Sequence, residues 1–259
     1  MTATTTPTPA PSAAPRRPQP SNLARRRLID RVVTMVIYAA IAVAAVPLVL
    51  LVYFVVVKGA GQVSWSFLTE ALPKSARRSG GGIGPAIIGT LLCTALAALL
   101  AIPLGVLGAI YLNEYGKTSR TASALRFLAN VLAGVPSIVM GLFVYTIFVL
   151  RFQGGGRIAF AGALALACLM LPIVIRSTEE MLRLVPANLR EASMALGASQ
   201  SRTILTVVLP AALPGITSGS MLAVARAAGE TAPVLFTIGF ATEANWNPFS
   251  GPNTTLAQF

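Results

Sequence analysis

Long uncharged stretches of apolar residues alternate with short polar connections along the chain. Four of these stretches are uninterrupted and cover residues 32–57, 83–112, 127–150 and 158–175. A fifth covers residues 203–242 and is broken only by charged side chains at Arg226 and Glu230. A helix needs about 20 residues to cross a bilayer core about 30 Å thick. The pattern therefore predicts an all-α polytopic membrane protein with five visible spans.

The polar segments divide the chain into further regions. Residues 1–27 are rich in Pro, Thr, Ala and Ser, which predicts a disordered cytoplasmic tail. The apolar run that follows is about twice as long as the core of a secretory signal, so residues 28–58 are interpreted as a retained membrane anchor. Residues 59–82 are expected to form an extracytoplasmic loop with a short amphipathic piece. Residues 83–259 are expected to form the core.

The longest later polar stretch, residues 176–203, is expected to be a loop that carries a short surface helix. Pro186 is suited to the start of that helix and Gly197 to its end. A helix of about ten residues is too short to span the membrane.

Composition supports a membrane location, since only 11% of the residues are charged and 55% are hydrophobic. Soluble domains carry about 25% charged residues. The net charge of +12 does not indicate nucleic-acid binding, because the positions of the basic residues are explained by the membrane topology. Thirteen Lys and Arg residues fall in the tail and in alternate connections and six fall on the opposite side, which predicts a cytoplasmic N-terminus in the inner membrane.

The sequence does not support metal binding, catalysis or nucleotide binding. The chain has no histidine, and its two cysteines lie in separate apolar stretches, so we expect no metal site, catalytic residue or cofactor. Gly116, Lys117 and Thr118 resemble part of a phosphate-binding loop, but Tyr111 stands where that loop needs a further glycine. We therefore expect the chain not to hydrolyse ATP itself.

Arg226 and Glu230 are the notable charges within a predicted span. If the span begins near residues 210–214, Arg226 lies about 18–24 Å along it at 1.5 Å per residue. A charge at that depth costs at least about 2.5–3.5 kcal/mol, so it is a functional candidate by default. The alternative is a structural ion pair, because residues four apart are neighbours on a helix. We favour function, since a guanidinium provides a planar fork of donors for an oxyanion.

The residues Glu191, Ala192 and Ser193, followed by Gly197 and by Leu209 and Pro210, resemble the EAA loop of ABC importer permeases. Three further segments, residues 81–91, 134–143 and 226–233, resemble the phosphate-specific (Pst) permeases, and Gly-Glu-Thr-Ala-Pro at residues 229–233 is similar to their A-type subunit. The resemblance covers about residue 28 to the end.

This resemblance implies a type I ABC importer permease fold and a subunit of an ATP-driven inorganic phosphate importer. It implies a C-type sister permease, two cytoplasmic ATPase subunits and an extracytoplasmic phosphate-binding protein as partners. The coupling loop, residues 186–210, would dock the ATPase. The residues expected to couple the permease to the ATPase are Arg190, Glu191, Ala192, Gly197, Leu209 and Pro210. Arg226, Glu230 and Arg176 are the expected substrate path, although Arg176 is equally well explained as a topology anchor.

Permeases of this type usually have six spans, so the sixth is expected to be missing at the C-terminus. Two alternatives remain open. One is an ABC permease for another oxyanion, such as phosphonate, sulfate or molybdate. The other is a stand-alone secondary carrier, which would have no use for an EAA-like loop.

Overall fold

The computed structural model describes residues 23–73, 80–116, 119–152 and 156–258, and within these ranges the chain is helical without strands. This confirms the predicted all-α class. The helices are α1 (Leu23–Gly59), α2 (Trp65–Thr69), α3 (Gly84–Ile110), α4 (Arg120–Gly134), α5 (Ser137–Val144), α6 (Leu150–Phe152), α7 (Ala159–Leu184), α8 (Ala187–Ala195), α9 (Gln200–Thr203), α10 (Leu209–Ala228) and α11 (Ala232–Thr237).

The chain divides into two compact units, Met1–Val63 and Ser64–Phe259. The first unit contains α1, whose 37 residues extend about 55 Å at 1.5 Å per residue. That length exceeds the thickness of a bilayer core. Because α1 begins at Leu23, residues 23–27 are helical and were wrongly assigned to the tail. The remainder of the predicted tail lies outside the described residues.

The core of the second unit is formed by α3, α7 and α10. Helices α3 and α7 run side by side in the same direction, because Cys93 lies against Ala159 near their starts and Gly105 lies against Val174 further along. Helix α10 runs in the opposite direction along α7, where Gly215 faces Met181. Their shared interior is rich in alanine. Small side chains let helices approach closely, which favours association in lipid.

The third predicted span is not one continuous helix. Helices α4 and α5 meet at an angle of 106°. Pro136 has no backbone N–H, and Val135 before it is extended, as proline requires of the preceding residue. The apolar stretch over residues 127–150 is therefore divided between helices instead of forming one continuous helix. The described residues contain four helices able to cross a membrane, and the predicted five spans are present if this bent pair counts as one span.

The fifth apolar stretch is also broken. Helix α10 ends at Ala228, and the short α11 begins at Ala232. Arg226 consequently lies in the last turn of α10 instead of within a longer helix, and Glu230 lies beyond the helix end. Arg226 faces Leu169 and Ile173, which are close to the midpoint of α7. The break is thus at the level of the middle of α7.

Helix α7 extends to Leu184, nine residues beyond the predicted end of the fourth span. Arg176, Glu179, Glu180 and Arg183 are therefore helical and do not belong to a loop. The reason is that no helix-breaking residue occurs after Pro172 until Pro186. The predicted surface helix is confirmed as α8, which follows Pro186 directly.

The segment after α11, residues 238–258, folds over the end of the unit where α3 and α7 begin. Its backbone bonds to Phe160, and Leu256 donates to the hydroxyl of Thr90. Within the described residues it contains a single short 3₁₀ helix, Leu256–Gln258, and no candidate span.

Candidate functional site

The two helix breaks meet at a cavity of about 520 Å³ on the side of α7. Pro136 contributes from the α4–α5 bend and Arg226 from the end of α10. Neighbours of Pro136 in α4 and α5 also line it, and one face of α7 contributes residues spaced three and four apart, as one helix face requires. These are Leu169, Pro172, Ile173, Arg176, Ser177 and Glu180.

The structure brings together the two arginines predicted for the substrate path. Arg176 and Arg226 come from different helices and both line this cavity. Arg176 also donates a hydrogen bond of 2.6 Å to Oδ1 of Asn130 on α4, which holds its guanidinium toward the bend. Guanidinium groups bind oxyanions through paired donors. The two arginines therefore give this cavity the type of donor that an oxyanion requires.

Glu230 forms the predicted pair with Arg226, with 3.5 Å between Nε and Oε1. The side chain of Arg226 is 68% exposed, whereas that of Glu230 is 19% exposed. An exposed ion pair contributes about 0–1 kcal/mol, so the pair is a weak structural bond. The guanidinium keeps donors free for a ligand in the cavity.

Sequence reasoning missed Glu180. It lies one turn after Arg176 on the face of α7 that lines the cavity. The signal was present, because residues 173, 176, 177 and 180 follow helical spacing, but the expectation of a loop from residue 176 concealed it. Ser137 and Ser177 add hydroxyl groups to the same cavity.

The predicted coupling loop forms a second site at the end of the unit where α7 terminates. Gly197 has a φ of +86°, a conformation that favours glycine, and it ends the turn after α8. Glu191, Ala192 and Met194 are exposed, and Leu196 is 90% exposed. Apolar residues that are exposed together and bordered by polar groups are typical of a protein-binding surface.

Arg190, predicted as a coupling residue, is directed into the protein instead of toward this surface. Its guanidinium donates to the carbonyl oxygens of Leu182 and Val185 and forms an ion pair of 2.9 Å with Glu114. The side chains are only 17% and 6% exposed. Glu114, which sequence reasoning did not identify, lies in a π-helical turn after α3, Tyr111–Tyr115. Arg190 thus fixes α8 to the end of α3.

Other bonds strengthen this attachment of the loop to the π-helical turn. Gln200 donates to the carbonyl oxygen of Glu114 at 3.0 Å, and the hydroxyls of Tyr115 and Ser201 lie 3.2 Å apart. Arg126 on α4 binds Glu179 and the carbonyl oxygen of Leu112. Helices α4, α7 and α8 are therefore joined at the end of α3.

Leu209 and Pro210 belong to the start of α10 and not to the exposed surface of α8. Leu209 packs on the cluster that contains Val185 and Val208. Pro210 follows a π-helical turn, Ile204–Val208, in which the N–H of Leu209 bonds to the carbonyl oxygen of Ile204. These two residues fix the orientation of the start of α10 relative to the loop.

The long apolar helices, two of them interrupted at mid-length, and the short loop helix α8 agree with the architecture of an ABC importer permease subunit. A family model for binding-protein-dependent transport system inner membrane components matches residues 101–247. The chain belongs to this family, and within it to the phosphate transport system permeases of the PstA type.

Individual relatives agree with that assignment. Phosphate transport system permease protein PstA 1 of Mycobacterium tuberculosis (strain CDC 1551 / Oshkosh) is 46% identical, over 90% of this chain and 76% of its own length. PstA of Mycobacterium leprae is 44% identical, with the same two coverages. PstA of Yersinia pestis is 43% identical, over 82% of this chain and 71% of its own.

The fold is similar to that of a solved ABC transporter. The inward-facing methionine transporter MetNI superposes with a TM-score of 0.50 and 21% identity, covering 59% of this chain and 71% of that one. This similarity supports the type I permease architecture and concerns the fold alone.

Proposed function

We propose that the chain is the membrane-spanning permease subunit of an ATP-driven importer of inorganic phosphate and forms half of its translocation path. The observation that carries the proposal is the convergence of Arg176 and Arg226 on one cavity at the level of the middle of α7. Charges inside a membrane protein typically mark ion pathways. The names of the relatives support phosphate as the anion.

The second half of the path belongs to a C-type sister permease, and the anion arrives from an extracytoplasmic phosphate-binding protein. ATP hydrolysis takes place on two separate cytoplasmic ATPase subunits. Family membership argues against the stand-alone secondary carrier, because the family transports with a binding protein.

The coupling loop docks the ATPase through the exposed surface of α8, formed by Glu191, Ala192, Met194 and Leu196. Arg190 has a different role from its exposed neighbours. It transmits movement of α8 to the end of α3 through Glu114. Movement of α3 and α7 relative to the two breaks then opens the cavity alternately to each side of the membrane.

The direct test is reconstitution of the complete complex in vesicles with trapped ATP. We expect phosphate uptake that requires ATP and the binding protein. Uptake of sulfate or molybdate in preference to phosphate would show that the importer serves another oxyanion. Uptake that persists without the ATPase would show that the protein is a carrier.

Replacing Glu191 by Lys is expected to leave the permease in the membrane and to remove the ATPase from the purified complex. Glu191 is exposed, so reversing its charge has little effect on folding but changes the docking surface. Co-purification measures the effect. The matched control is Glu243→Lys, at an exposed residue near the opposite end of the unit. Normal co-purification and uptake in Glu191→Lys would exclude docking at this surface.

The proposed topology places the N-terminus in the cytoplasm, α8 on the cytoplasmic side and residues 238–258 outside. A cysteine introduced at Ser250, which is exposed, should react with a membrane-impermeant thiol reagent in intact cells. A cysteine introduced at Ser123, exposed in the first turns of α4, should react only after permeabilisation. The opposite labelling pattern would invert the topology.

A further inference from the structure

Glu180 places a negative charge in a cavity that otherwise favours anions. Arg176 precedes it by one helical turn on α7, and Arg226 lines the same cavity from α10. Of the four ion pairs found between described residues, none includes Glu180. Arg176 instead donates to Asn130, and Arg226 is paired with Glu230. Glu180 therefore does not serve to neutralise Arg176 or Arg226, and its presence in the cavity needs another explanation.

A carboxylate is an acceptor without a donor when it is ionised. It repels a fully deprotonated oxyanion and accepts a hydrogen bond from an oxyanion that carries a proton. Inorganic phosphate keeps at least one P–OH group at neutral pH, whereas sulfate and molybdate keep none. Two guanidinium groups and one carboxylate therefore match a protonated oxyanion better than a deprotonated one.

We propose that Glu180 makes the permease cavity selective for protonated oxyanions by accepting the P–OH hydrogen bond of phosphate while Arg176 and Arg226 bind the unprotonated oxygens. This inference rests on the proposed function and adds a second selection step, within the membrane, to recognition by the binding protein. Sulfate is rejected because its oxygens leave the Glu180 carboxylate without a donor and facing a like charge.

Protection of a thiol in the cavity tests the proposal in the assembled complex. Ser137 lines the cavity at the start of α5, so a Ser137→Cys variant reports on its occupancy. The half-buried Cys168 is replaced by Ala, and the buried Cys93 is retained. The probes are inorganic phosphate, arsenate, sulfate and molybdate, and the measurement is the rate of modification by a charged thiol reagent in solubilised complex.

We expect phosphate and arsenate to protect the introduced thiol at concentrations at least about tenfold lower than sulfate and molybdate, the ratio expected from one hydrogen bond to a charged group. Adding Glu180→Gln should bring phosphate and sulfate to within about twofold of each other. Glu243→Gln makes the same chemical change at an exposed residue outside the cavity and should preserve the tenfold difference.

The outcomes separate the two proposals. Equal protection by phosphate and sulfate with Glu180 in place overturns the selectivity and leaves phosphate transport standing. A preference for phosphate that survives Glu180→Gln shows that another residue selects. No protection by phosphate removes the cavity from the path and overturns the selectivity, whereas the proposed function is overturned only if the reconstituted complex does not import phosphate. If Glu180→Gln does not assemble, Glu180→Asp keeps the acceptor one methylene shorter and should reduce the preference while keeping its direction.

Discussion

We expect Arg226→Gln to abolish phosphate uptake while the complex still assembles and still carries its ATPase. The substitution removes the charge that α10 contributes to the cavity, and the shorter glutamine is tolerated because the Arg226 side chain is 68% exposed. A hydrogen bond to a charged group contributes about 1.5–3 kcal/mol, so the loss of two such bonds lowers transport by about 100-fold or more. Uptake of labelled phosphate into cells that lack any other phosphate importer measures the loss.

Three further variants test the role predicted for Arg226. Arg226→Lys should also be impaired, because an ammonium group retains the charge but lacks the planar fork. Glu230→Gln should assemble normally with altered transport, because Arg226 is 68% exposed and only one contact of 3.5 Å joins the pair. Arg151→Gln, at an exposed arginine outside the cavity, is the matched control and should transport normally. Normal uptake by Arg226→Gln would show that Arg226 does not bind the anion in the path, and Arg176 would become the better candidate.

Replacing Arg190 by Gln is expected to destabilise the permease and to uncouple ATP hydrolysis from transport. Glu114 is nearly buried, and without its partner it remains an uncompensated charge, at a cost of about 3–5 kcal/mol. The attachment of α8 to the end of α3 is lost at the same time. Thermal unfolding of the purified complex measures the first effect, and the ratio of phosphate transported to ATP hydrolysed measures the second.

An exposed ion pair in the same region provides the control. Arg183 binds Glu179 at 2.6 Å, but its side chain is 59% exposed and Glu179 retains Arg126 as a partner. Arg183→Gln should therefore change stability by less than about 1 kcal/mol. The exchange variant Glu114→Arg with Arg190→Glu should recover part of the stability if the pair itself is responsible. Equal behaviour of Arg190→Gln and Arg183→Gln would contradict a role for burial.

The amino-acid sequence was sufficient to predict the apolar helices α3 and α7 and the short helix α8, although not the breaks in the third and fifth apolar stretches. Charges are so rare over residues 83–112 and 158–175 that those stretches form helices in lipid under almost any packing arrangement. Pro186 and Gly197 act locally, and the structure places α8 between them with Gly197 at a positive φ. Local signals of this kind do not depend on the remainder of the fold.

Only the tertiary structure determined which charges meet and which face the protein interior. Pro136 indicates a helix break in the sequence, but the angle of 106° depends on packing against α7 and α11. That bend and the end of α10 place Arg226 on the same cavity as Arg176 and Glu180, residues separated by about 50 positions along the chain. The direction of Arg190 likewise depends on Glu114, 76 residues earlier. Side-chain partners so distant in sequence leave no periodic signal, because their proximity is a property of the packed helices.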